Sequence, residues 1–134
     1  MAAAKALKAV AWTPDAVDAF APCCDVDPFG PLLSPRELLH ESYLHEFHHG
    51  NQAALVALTR FVTSGGCRVH VQGLVSTDKL HPLSHGPVMQ ALEATARAYQ
   101  ADVLTMCTQH PPLAAACRRW GGHISGAVIA KYLT

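Results

Sequence analysis

A chain of 134 residues, half of them apolar and 15% charged, is long enough for one domain with a substantial core, and residues 1–134 are read as a single domain. Ten basic and ten acidic residues cancel and no run of like charge appears, so the footprint of a nucleic-acid binder is missing. No stretch approaches ~18 consecutive apolar residues, which argues against a membrane-spanning helix, and Lys5 and Lys8 have no long apolar run behind them, so no secretory leader is expected.

The five cysteines, Cys23, Cys24, Cys67, Cys107 and Cys117, are odd in number and form no C-x-x-C pair. That pattern predicts neither a disulfide framework nor a zinc ribbon, and it suits a reducing, cytoplasmic setting. Histidine is the enriched residue, with nine copies. Such a count favours pH sensitivity or metal affinity, and it also makes metal-like motifs cheap.

In chain order, residues 5–12 read as a short first strand. Thr13 followed by Pro14 predicts a helix over residues 14–21, because threonine caps and proline suits the first helical position. Three prolines in residues 22–33 predict an irregular connection. Ser34, Pro35 and Glu37 form a capping-box pattern for a short helix over residues 35–40.

Residues 42–49 can be read two ways. His45-Glu46-Phe47-His48-His49 matches H-E-x-x-H, which on a helix offers His45 and His49 to Zn²⁺ with Glu46 as general base. The turn signal Gly50-Asn51 and the β-rich run 52–63 argue instead for a strand and hairpin. Ser64-Gly65-Gly66 is a second turn, and residues 68–76 a third strand, completing an antiparallel meander. A polar loop over residues 77–85, a helix over 86–99 and a strand over 101–107 then form a crossover unit, which puts the last two strands parallel. A helix ending at Trp120-Gly121 and a closing strand over residues 123–133 complete the chain; the edge of that strand is a candidate homodimer contact.

This order resembles the GNAT superfamily of N-acetyltransferases over nearly the whole chain. The residues that carry the likeness are Leu104-Thr105-Met106-Cys107-Thr108 with Pro112 to Gly121, which look like that family's fifth strand and fourth helix, and Ala91 to Ala96, which look like its third helix. The resemblance implies an α/β (α+β) fold: a GNAT-like mixed central sheet, with a meander followed by a strand–helix–strand crossover and helices on both faces. It also implies an acetyl-CoA-dependent N-acetyltransferase acting on a small-molecule or peptide amine, on a scaffold found in bacteria and their phages; the charge and hydropathy patterns add no nucleic-acid or membrane partner.

In the family the CoA pyrophosphate is held by a loop of the form Arg/Gln-x-x-Gly-x-Gly/Ala. The matching positions here carry Leu80, His81, Leu83 and His85, and only Gly86 remains nearby. The resemblance therefore assigns cofactor contacts to Leu74, Val75 and Ser76 at the end of the fourth strand, to His81 and His85, and to the start of the following helix at Gly86 and Val88, where free amides favour anions. It places Cys117 where the family has an acidic tyrosine. For the base, His70 is the first candidate and Glu46 the second. A non-catalytic protein on the same scaffold, with the cofactor loop lost, is the alternative, and a zinc hydrolase built on His45 and His49 the third reading.

Overall fold

The structure, a computed structural model, describes residues 5–27, 32–78, 80, 81, 83–107 and 111–123, together with Gly126, Lys131 and Leu133. Among the described residues five strands form one mixed sheet in chain order: β1 (Lys8–Ala9), β2 (Tyr43–His49), β3 (Gln52–Thr63), β4 (Gly66–Ser76) and β5 (Val103–Met106). All neighbours are antiparallel except β4 and β5, which are parallel. Helices α1 (Pro14–Ala19), α2 (Ala21–Val26) and α3 (Pro35–Leu38) cover one face; α4 (His85–Ala98) covers the other, with α5 (Pro111–Arg119) beside it.

The meander follows from its turns and its alternation. Gly50 takes φ +57 in the β2–β3 turn, a conformation that costs glycine little. Alternate residues of β2 to β4 then supply two cores. Phe47, Val56, Leu58, Val69 and Val71 meet Val88 and Leu92 of α4 on one face. Leu44 and Ala57 meet Phe20, Leu38 and Leu39 on the other. Helix α4 buries Val88, Met89, Ala91, Leu92, Thr95 and Ala96, a helical stripe. It ends in a two-bond C-terminal motif: Gln100 at φ +60 donates to Arg97 O at 2.9 Å and Ala101 donates to Ala96 O at 2.9 Å.

The caps expected at Thr13 and Ser34 form, the second as a full capping box with Glu37. Two expectations need correction. The first strand shrinks to Lys8–Ala9. Residues 21–26, expected as irregular, are helix α2; Pro22 lies in its first turn, where the missing N–H has no intrahelical acceptor to lose. Residues 43–49 form strand β2, as the hairpin signal after them predicts, so the H-E-x-x-H match lacks the helical geometry its chemistry needs. Most of the closing strand expected over residues 123–133, and with it the homodimer edge, lies outside the described residues; the four described there, His123, Gly126, Lys131 and Leu133, are in no strand.

One irregularity organises the middle of β4. Its register with β3 runs Ala57↔Gly73 and then Leu58↔Val71, so Gln72 is the extra residue of a β-bulge. Without the bulge, His70 and Leu74 would share a face. With it, Leu74 joins Val69 and Val71 on the α4 side. His70 and Gly73 share the α1–α3 side, and a Cβ on Gly73 would come within 2.8 Å of the Phe20 ring.

Candidate functional site

The bulge coincides with the end of β4–β5 pairing. The parallel ladder runs from Arg68↔Val103 to Val71↔Met106 and stops there. Gly73 to Ser76 stay paired to β3 but have no β5 partner. Residues 68–71 of β4 are thus paired on both sides and, among the described residues, 73–76 on one, so β4 has a two-sided and a one-sided half that meet at Gln72. The proposed contacts Leu74, Val75 and Ser76 all lie on the one-sided half. One of its carbonyls is engaged: Cys23 Sγ of α2 donates to Leu74 O at 3.6 Å.

His70 sits on the last two-sided turn of the ladder, half-buried, on the α1–α3 face. Its neighbours across the sheet are Thr59 on β3 and Thr105 on β5. Nδ1 lies 2.8 Å from Thr105 Oγ1. Burial pushes the imidazole below its ordinary pKa and the Arg68 guanidinium pushes the same way, with the Asp27 carboxylate opposing. A neutral imidazole at neutral pH is the form a general base requires. The hydroxyl of Thr59 is buried and has no hydrogen-bond partner among the described residues.

The other two chemical candidates separate. Cys117 Sγ lies 3.2 Å from Met106 Sδ, on the α4 side of the sheet, so it approaches the end of β5 from the face opposite His70. Burial raises its thiol pKa, which keeps it protonated. Glu46 stands on the α1–α3 face, level with Leu55 and Val75. It is two strands and about four residues of register from His70, roughly 16 Å at ordinary sheet spacings. Glu46 and His70 do not act on one atom.

The loop after β4 is organised by Asp78. Its Oδ1 accepts from the amides of Leu80 at 2.9 Å and His81 at 3.3 Å, and its Oδ2 lies 2.7 Å from His81 Nδ1. His81, expected to face a phosphate, faces a carboxylate instead, and Leu80 points to solvent. At the start of α4 the side chain of Ser84 caps nothing; Ser84 is held by Gln52 of β3 through a 2.6 Å bond from its amide and a 2.9 Å bond to its hydroxyl. The first-turn amides of His85 and Gly86 have no intrahelical acceptor, and Pro87 has no N–H. Val88 is fully buried in the core, so its side chain plays no part in a ligand contact. Trp120 lies close over Gly86, 3.3 Å from where a Cβ would stand.

The zinc reading fails on β2. His45 and His49 are four strand residues apart, about 13 Å. Both nitrogens of buried His45 are engaged, Nδ1 with Tyr43 O at 3.0 Å and Nε2 with Tyr99 Oη at 2.7 Å. Among the described residues no three His, Cys, Asp or Glu gather at metal-holding distance.

A cavity of about 750 Å³ lies on the outer edge of β5, between α4 and α5; it shares Thr105, Met106, Cys117 and Trp120 with the site just described. Among the described residues no helix is long and apolar enough to cross a membrane. Comparison with models of known families, with curated proteins and with solved structures found no match to this chain.

Three features of the site were not read from the sequence: the bulge at Gln72, the Thr105 contact and the Asp78 turn. Two had signals. A lone glycine inside a strand pattern, Gly73, marks bulges and close approaches. An aspartate heading a polar loop, Asp78, favours a turn closed by its own carboxylate. Thr105 had none, because cross-strand register is a property of the folded sheet.

Proposed function

We propose that this chain is an acyl-CoA-dependent N-acyltransferase of the GNAT type, using acetyl-CoA, with His70 as general base toward an amine acceptor. The observation that carries the reading is the coincidence, at one point of β4, of the bulge at Gln72, the end of β5 pairing and a half-buried histidine. Away from β3, and without strand pairing among the described residues, Gly73 to Ser76 present a strand-shaped edge of backbone donors and acceptors, with Leu74 O taken by Cys23, suited to the amides of a pantetheine arm. Acetyl-CoA supplies an activated acyl thioester. The chain's part is to hold that group beside the bulge, to orient the acceptor on the α1–α3 face, and to take the proton its nitrogen loses on His70. Cys117, protonated and on the opposite face, is the nearest candidate to return a proton to the departing sulfur.

The phosphate end of the cofactor is served less well. The amides of His85 and Gly86 support anion binding, while those of Leu80 and His81 are spent on Asp78. That turn favours a second reading, a non-catalytic binding or structural protein on the same scaffold. Calorimetric titration with acetyl-CoA separates the two. Binding, with a loss of roughly 10²- to 10⁴-fold in kcat/KM for His70→Ala at unchanged affinity, supports the enzyme. No heat and no thermal shift at millimolar ligand sinks it and leaves the scaffold.

A further inference from the structure

We infer that Thr105 is a positioning residue for His70: by accepting the Nδ1 proton it fixes the imidazole tautomer and ring orientation, leaving Nε2 as the basic nitrogen. The inference rests on the acyltransferase reading for its consequence, but its geometry stands on the sheet alone. Thr59, His70 and Thr105 form a row across β3, β4 and β5, all on the α1–α3 face, by two independent registers. A histidine between two hydroxyls has two ways to be held. It is held by one of them: Nδ1 meets Thr105 Oγ1 at 2.8 Å, while the Thr59 hydroxyl has no partner among the described residues. Nε2 is therefore not tied to Thr59, and among the described residues it has no hydrogen-bond partner.

The choice of tautomer is not neutral. A free imidazole favours the proton on Nε2, which would leave the basic lone pair on Nδ1, the nitrogen turned into the sheet toward β5. A hydroxyl that accepts from Nδ1 reverses this and turns the lone pair outward, the arrangement second partners impose on working histidines. The charged groups around the ring are Arg68 on its own strand and Asp27 at the end of α2. Neither occupies the hydrogen-bonding position at Nδ1 that Thr105 holds.

The test is ¹⁵N-resolved NMR of the histidine rings in the full chain, combined with Thr105→Val and Thr105→Ser. Valine keeps the shape and β-branching of threonine and removes only the hydroxyl; serine restores the hydroxyl. The expected result is an Nδ1–H tautomer for His70 in the parent and in Thr105→Ser, and a shift toward Nε2–H in Thr105→Val. If the chain acetylates amines, kcat/KM should fall about 10- to 100-fold in Thr105→Val, with a displaced pH profile, and recover in Thr105→Ser. An Nε2–H tautomer in the parent, or the same tautomer in all three proteins, overturns the inference. Failure to bind acetyl-CoA with the tautomer change intact overturns the acyltransferase reading and leaves the positioning role standing. If Thr105→Val does not fold, the parent tautomer and the Thr105→Ser spectrum still decide.

Discussion

The two ends of α4 are built on opposite plans. Its C-terminal end is locked. Tyr99 meets His45 of β2 through its hydroxyl at 2.7 Å, and its carbonyl accepts from Arg60 Nε at 3.2 Å and Cys67 Sγ at 3.8 Å. One turn earlier, Thr95 Oγ1 accepts from the Leu7 amide at 2.7 Å and donates to Ala91 O at 2.7 Å. Strands β2, β3 and β4 and the chain before β1 thus converge on the last turn and its cap. The N-terminal end is open. No side chain caps it, its neighbour Ser84 is held by a single β3 side chain, and the loop before it satisfies itself through Asp78. The lesson is a division of labour: α4 is anchored at one pole of the sheet, and its other pole, beside the one-sided half of β4, is left with amides to spare.

The largest effect expected from this contrast is on stability. Tyr99→Ala removes a half-buried ring and leaves His45 Nε2 without its partner in the core. Cavity and orphaned polar group together predict a loss of about 3–4 kcal/mol by urea unfolding. The matched truncation at the open pole, Leu80→Ala, removes a side chain that is 86% exposed and should leave the midpoint nearly unchanged. Equal losses in the two variants would erase the distinction between the poles.

A second effect follows from the histidine at the locked pole. Burial holds the His45 imidazole below its ordinary pKa, with the Tyr43 carbonyl opposing. The folded pKa is therefore below the unfolded one, and the unfolded chain binds the proton first as pH falls. Stability is full above the unfolded value of about 6.5, declines as pH drops from there toward the folded pKa, and is flat below it. The slope in that window is at most about 1.4 kcal/mol per pH unit for each such group. His70, lowered in the same direction, adds to it. Unfolding free energies at pH 7.5, 6.5 and 5.5 should show the decline, and His45→Gln should flatten part of it. A slope untouched by that substitution would mean that the locked pole does not sense pH through His45.

How much of this was legible beforehand divides along the same line. The meander, the parallel crossover and the buried stripe of α4 follow from local periodicity and turn residues, which act over a few residues and are visible in a string. The capping box at Ser34 is legible for the same reason. Helix α2 was missed because Pro22 has two meanings, breaker inside a helix and starter at its first turn, and only the position of the helix decides. The H-E-x-x-H match was resolved by the hairpin after it, not by its own residues. At the site, His70 was legible as a polar residue between Val69 and Val71. Its relation to Gly73, Thr59 and Thr105 was not, since one extra residue at Gln72 reassigns every face that follows. The His45–Tyr99 pair spans 54 residues of sequence, and no local rule reaches that far.

The smallest effect is the most informative about the open pole. Asp78 holds the amides of Leu80 and His81 and pairs with the His81 ring, whose hydrogen bond lowers its carboxyl pKa. It is in effect an internal anion seated where the resemblance expects a phosphate. Asp78→Asn keeps an oxygen that accepts from Leu80, so the turn persists, but it removes the negative charge and frees His81. A cofactor pyrophosphate approaching this loop and the first turn of α4 would then meet less repulsion. The affinity for acetyl-CoA should rise roughly threefold to tenfold at low salt, and the gain should shrink as ionic strength increases. Titrating parent and variant with acetyl-CoA at two salt concentrations reads this directly. An unchanged affinity in a chain that does bind acetyl-CoA would place the phosphates away from Asp78, on His85 and Gly86 alone. A weakened affinity would show that the Asp78 turn is part of the cofactor site and not its competitor.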